Sequence, residues 1–220
     1  MPRHRGAASS VTQATPALGP PPEPDHLRRF PVWHVLAGTV LHRVTRAEHG
    51  PWWFSSDGAG RFDLPAPRGT CYLADDPVLA LFETLGATAS APVLAPSVVE
   101  DRRVWSVPLP DPCDAADTTV RRARAFGVTA ELATITPHGQ PQAWASAFRA
   151  AAFGGIRYRA RHDPAGGRCL ALFGRAGERR SWRRGQPAAV GPALGDRFLV
   201  EAGIRIAAVP RVDHLANVLD

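Results

Sequence analysis

The chain has 220 residues, 45% of them apolar and 21% charged, with a formal net charge of +6. That length suits one domain with a sizeable core, and the composition excludes a disordered or fibrous chain. No apolar run approaches the ~18–20 residues a membrane helix needs. The opening MPRHRGAASS has no apolar signal-type stretch, so a cytoplasmic location and no membrane partner are expected.

Residues 1–30 read as a disordered, Pro-rich tail: Pro16, Pro20, Pro21, Pro22 and Pro24 crowd together and apolar residues are sparse. The folded domain is expected over 31–220. Within 33–45, the alternation around Val40 to Val44 predicts a strand. A glycine-rich polar loop follows at 49–63, long enough to suggest a functional role. GTCYLA at 69–74 reads as a strand. Asp75 and Asp76 can cap the next helix, which has Pro77 in its first turn and Gly86 as its stop. A strand is expected at 102–109, a short helix at 117–126, and a longer helix from Gln140 to Phe153 with Trp144 and Phe148 on one face. Strands at 155–160 and 168–174 flank the turn HDPAGG. The end reads as a helix, PALGDRFLVEAG, and a strand, RIAAVP. This order is α+β, without the regular alternation of a doubly wound sheet.

Several kinds of chemistry are absent from the pattern. There is no GxGxxG or GxxxxGK[ST] phosphate loop and no GxSxG elbow. The histidines are scattered without metal spacing, so no metal is expected. Cys71, Cys113 and Cys169, odd in number and without a CxxC, read as small buried hydrophobes. All 26 basic residues are arginine, an excess that reflects coding bias in part. The guanidinium fork nonetheless suits phosphate.

Glu83 is the most informative residue. Val78, Leu79, Leu81, Phe82 and Leu85 leave its helix little polar face, and a carboxylate there needs a partner or a cleft. Arg43 ends an apolar strand pattern and can point into a pocket. Arg61 follows Gly60, which lets backbone approach a ligand closely. Tyr72, on a strand, can stack on a flat ring or fill the core.

The string FSSDGAGRFDLPAPRGTCYLADDPVLALFE, preceded by LHRV and followed by GIRYRARHDP and CLALFG, resembles a RES domain over roughly Trp33 to Gly174. The resemblance implies a mixed sheet with flanking helices, similar to that of ADP-ribosyltransferases. It also implies cleavage of the nicotinamide–ribose bond of NAD, by hydrolysis or by phosphorolysis with phosphate as co-substrate, and a toxin-like role opposed by an Xre-like antitoxin. NAD is then substrate, with no resident cofactor. The implied catalytic residues are Glu83, Arg43 and Tyr72. Arg43, Arg61, Tyr72 and position 160 would bind the ligand, Arg43 and Arg61 at the phosphates and Tyr72 at the nicotinamide riboside. The family serine is replaced here by Ala160.

Three other readings stand beside this one. Ala160 would suit a RES-like protein that binds NAD or a partner without turnover. ADP-ribose could be transferred to a macromolecule. The cluster Arg179, Arg180, Arg183 and Arg184 around Trp182 could touch nucleic acid, although a solvated surface turn accounts for it more simply.

Overall fold

The computed structural model describes residues 18–46, 48–86, 93–182, 187–190, 192–203 and 205–206. Its first elements are α1 (Pro24–Leu27), β1 (Val32–Val35), β2 (Val40–Arg46), β3 (Trp53–Phe54), β4 (Arg68–Ala74) and α2 (Pro77–Leu85). Next come β5 (Val93–Leu94), α3 (Pro96–Glu100), β6 (Arg102–Pro108), β7 (Cys113–Asp117), a 3-10 helix at Arg121–Phe126, α4 (Glu131–Thr134) and α5 (Gly139–Ala150). The chain continues through β8 (Gly155–Arg159), β9 (Arg168–Arg175), β10 (Gly177–Glu178), β11 (Pro187–Ala189), α6 (Pro192–Ala202) and β12 (Arg205–Ile206).

Eight strands form one mixed sheet in the order β1-β7-β8-β9-β4-β2-β6-β11. Within this sheet the β7–β8 pair is parallel and the other pairs are antiparallel, β4–β2 being reduced to a single residue pair. This is the α+β arrangement that the order of elements predicts. β4 runs alongside β9 for seven residue pairs, and β2 alongside β6 for another seven. Between β2 and β4 the ladder is only His42 with Ala74. The sheet therefore parts at that seam.

Side chains alternate across the two faces, as strand geometry requires. Leu41, Cys71, Leu73, Trp105, Val107, Leu170 and Leu172 pack on one face with Trp52 and Phe54. Val44, Ala74, Val104, Ile156, Tyr158 and Ala171 pack on the other, beneath α2, α5 and α6. Asp76 caps α2, accepting from the Val78 and Leu79 amides, while Pro77 occupies the first turn. Trp144 and Phe148 bury the inner face of α5.

The sequence expectations need correcting at several places. The stretch at 33–45 holds two strands, because Gly38 at φ 82° turns the chain between them. The 117–126 segment starts as the end of β7 and then becomes a 3-10 helix. The domain boundary at residue 31 is also too late. Leu18, Leu27 and Phe30 are fully buried, because the Leu18 amide donates to Glu131, and Gln140 and Trp144 donate to the Leu18 and Gly19 carbonyls. Residues 1–17, the remainder of the expected tail, lie outside the described residues, as does most of the expected strand RIAAVP.

If the domain begins at Leu18, Leu18→Ala will lower unfolding free energy by ~2–5 kcal/mol, as for other buried leucines. Chemical denaturation reads this directly, and an unchanged midpoint would return Leu18 to the tail.

Candidate functional site

Where β2 and β4 part, a cleft of about 430 Å³ opens. Its walls come from His42 and Val44 on β2, Tyr72 on β4, Glu83 on α2, Tyr158 on β8 and Arg161 and His162 just beyond it. That volume lies within the ~300–1,000 Å³ usual for small-ligand sites.

Asp63 organises the loop at one side. It is 3% exposed, so its carboxylate must be fully satisfied. Tyr72 Oη donates to Oδ1 at 2.8 Å, and the Gly60 amide donates to Oδ2 at 2.9 Å. The Ser55 hydroxyl lies 2.9 Å from Oδ2 and 3.0 Å from Asp57, with one proton to share between them. Tyr72 Oη also accepts from the Phe62 amide at 2.9 Å. Burial first, and then Asp63, push the Tyr72 phenol far above its ordinary pKa, so it remains a donor. Gly60 has to be glycine, since a Cβ there would collide with Asp63 and Tyr72 Oη.

The same loop is held from α5 and the segment before it. Gln142 Nε2 donates to the Gly58 and Gly60 carbonyls at 2.8 and 2.9 Å. The His138 ring nitrogen meets the Ala59 carbonyl at 3.0 Å, so Nδ1 carries the proton. Arg61, next in the chain, donates to the Ile135 carbonyl at 2.5 Å. Burial, and then repulsion from Arg161, lower the pKa of Arg61, while Glu83 and the tyrosines pull it back up. Two guanidiniums close enough to repel each other make a place suited to an anion.

Glu83 lies half-buried on the opposite wall, where its Oε1 accepts from the His162 amide at 3.1 Å. The second oxygen takes no hydrogen bond from the described residues. Gly86 leaves room for this arrangement, since a Cβ there would strike the His162 ring.

The structure brings Arg61, Tyr72 and Glu83 into one cleft. Arg43 borders it, but the guanidinium reaches the reverse face of the sheet. There Nη1 donates to the Pro51 carbonyl at 2.6 Å, the Trp53 carbonyl at 2.8 Å and Cys71 Sγ at 2.8 Å. Ala160 does not line the cleft; it is buried and borders a neighbouring cavity. Arg161, His138 and Gln142 are missing from the sequence expectations. Arg161 had a local signal, as a second cation within GIRYRARHDP, but Gln142 lies more than 80 residues from the carbonyls it holds, and no spacing reveals that.

The Trp182 cluster reads structurally. Trp182 packs edge-on against Trp52 and Phe54, and Arg180 pairs with Glu178. Arg183 and Arg184 lie outside the described residues. Among the described residues no group of acidic, histidine or cysteine side chains is arranged to hold a metal. No helix among them is long and apolar enough to cross a membrane.

The RES domain family matches residues 40–189. A chain in the crystal structure of the M. tuberculosis MbcT–MbcA toxin–antitoxin complex has a similar fold, with a TM-score of 0.59 at 23% identity. The match covers 80% of this chain and 95% of that one. No curated protein matches the sequence.

Tyr72→Phe should lower stability by ~1–3 kcal/mol, because it strips partners from the buried Asp63 carboxylate and the Phe62 amide. Denaturation of purified variant and parent checks this. A second expectation concerns His42, whose pKa burial lowers from 6.5 against the weaker opposing pull of Asp76 and Asp75. Above pH 6.5 the ring is neutral folded and unfolded, and its contribution is complete. As pH falls from there toward the lower folded-state pKa, the unfolded chain takes up the proton first and stability declines. His42→Gln should flatten that part of the stability–pH curve.

Proposed function

Since the chain belongs to the RES domain family, we propose that its cleft binds NAD and breaks the nicotinamide–ribose bond, by hydrolysis or by phosphorolysis. The observation that carries this reading is that Glu83 and two cations, Arg61 and Arg161, line one cleft of nucleoside size.

Nicotinamide leaves as a neutral molecule from a cationic precursor, so the protein has little covalent work to do. It must hold the phosphates, fix the riboside and stabilise the cationic sugar that develops as the bond breaks. Arg61 and Arg161 supply charge and guanidinium geometry for the pyrophosphate. The Tyr72 ring borders the riboside position, while its hydroxyl keeps the Arg61 loop in shape. Glu83 faces the anomeric carbon with the carboxylate oxygen that His162 leaves free, and it can orient water or phosphate for attack. Arg43 serves the site from behind, tying β2 to the Pro51–Trp53 segment.

Ala160 favours binding without turnover less than the sequence suggests. It lies outside the Glu83 cleft, so the missing hydroxyl bears on ligand affinity more than on the reacting bond. The likeness to a toxin–antitoxin structure supports a toxin-like role and an antitoxin partner; the Xre-like type and the covering of the cleft are part of the proposal.

Purified protein incubated with NAD, with and without inorganic phosphate, is expected to release nicotinamide. Glu83→Gln keeps an acceptor for the His162 amide, so it should fold normally while release falls ~100-fold or more. No release under either condition would sink the reaction. Undiminished release by Glu83→Gln would remove Glu83 from its role.

A further inference from the structure

β8 and the residues after it separate two cavities. Tyr158, Arg161 and His162 face the Glu83 cleft, while Arg159 and Ala160 face a second cavity of about 640 Å³. The floor of this second cavity is apolar, with Ala123, Val128, Leu132 and Ala160 all buried. Its rim carries Arg121, Arg124 and Arg159, each exposed. Among the described residues none of the three forms an ion pair. Arg159 makes only long hydrogen bonds, to the Gly166 carbonyl at 3.4 Å and the Thr119 carbonyl at 3.5 Å. The one carboxylate in the lining, Asp163, is already occupied by the Ala165 and Gly167 amides.

An apolar floor under unpaired guanidiniums suits a flat base joined to phosphate. The position of the cavity narrows this further. Arg61 bonds to the Ile135 carbonyl, one residue beyond Thr134 in the second cavity's lining, and Arg161, the residue after Ala160, lines the cleft with it. A pair of cations thus stands at the border between two cavities. The residues from Tyr158 to His162 line the two cavities between them, Tyr158, Arg161 and His162 the cleft and Arg159 and Ala160 the second cavity, so the two adjoin at this segment.

We propose that the second cavity holds the adenine nucleotide half of a dinucleotide whose other half is cleaved beside Glu83. This rests on the reading of the cleft as the NAD site. It assigns Arg121, Arg124 and Arg159 to the adenylate and its phosphate, leaves the nicotinamide-side phosphate to Arg61 and Arg161, and gives the Ala160 position a place beside the adenylate.

ADP is the probe, because its binding does not depend on turnover. Titrated by calorimetry into the full chain, ADP should bind, and Arg124→Ala should weaken it about tenfold, as expected for a lost charge-assisted phosphate contact. Arg124 is exposed, so the variant should fold, and the remote Arg180→Ala should leave ADP affinity unchanged. Absent ADP binding, or binding that Arg124→Ala does not weaken, overturns the proposal. With active protein, Arg124→Ala should raise KM for NAD about tenfold with kcat little changed, and should leave cleavage of nicotinamide mononucleotide, which lacks the adenylate, unaffected. Equal losses on both substrates would also overturn it. If the parent protein cleaves neither substrate, the proposed reaction fails, and the ADP titration still decides the cavity.

Discussion

One residue pair, His42 with Ala74, joins the two halves of the eight-stranded sheet. A longer ladder would close the sheet and leave no cleft, because β2 and β4 would then satisfy each other along their length. Each strand keeps a seven-residue ladder with the partner on its far side, β2 with β6 and β4 with β9, so the two halves hold together on either side of the seam. On the reverse face Arg43 spans the opening, taking carbonyls and a thiol where ladder bonds would otherwise lie. Burial of Cys71 raises its thiol pKa despite that neighbouring charge, so Sγ remains a neutral acceptor. The gap is thus sealed by side chains behind and is open to ligand in front.

The second requirement is a rigid loop beside the opening. A polar segment between β3 and β4 would ordinarily be mobile, since ordering each residue costs ~1–2 kcal/mol. Here the buried Asp63 carboxylate gathers the loop from within, and Gln142 and His138 hold three successive carbonyls, those of Gly58, Ala59 and Gly60, from outside. Arg61 emerges from a fixed backbone as a result. Its charge is held near Arg161 at an energetic cost that an incoming anion would relieve, and that is a form of preorganisation.

Much of this was legible in the sequence, though unevenly. The cap at Asp76, the apolar helix around Glu83 and the two strands flanking HDPAGG follow from local rules, and local rules were enough. The string GRFD marked the loop, although its reason, a carboxylate buried beneath Tyr72, is a contact between positions nine residues apart on different elements. Arg43 shows the limit. A strand residue has two faces available, and the pattern LHRV does not say which face becomes the cleft until the neighbours of β2 are known. β7 was missed for a related reason: CDAAD carries acidic residues at both flanks, and only pairing with β1 and β8 makes it a strand. The early domain start was hidden by prolines, whose cost is offset by contacts from α4 and α5 more than 100 residues away.

The serine-to-alanine departure at position 160 changes meaning once its surroundings are known. In a linear reading it follows Tyr158 closely and looks like a lost ligand-binding hydroxyl. In the fold, Tyr158 and Ala160 are both buried, yet they border different cavities, and the Ala160 amide closes the β8–β9 connection onto the Gly167 carbonyl at 2.8 Å. The main-chain role needs no hydroxyl. A serine there would add one hydrogen-bonding group worth ~0.5–1.5 kcal/mol to a ligand, a contribution that three rim arginines can exceed. The chemistry proposed at Glu83 rests instead on the separation of β2 from β4 and on the amide of His162, and Ala160 takes part in neither.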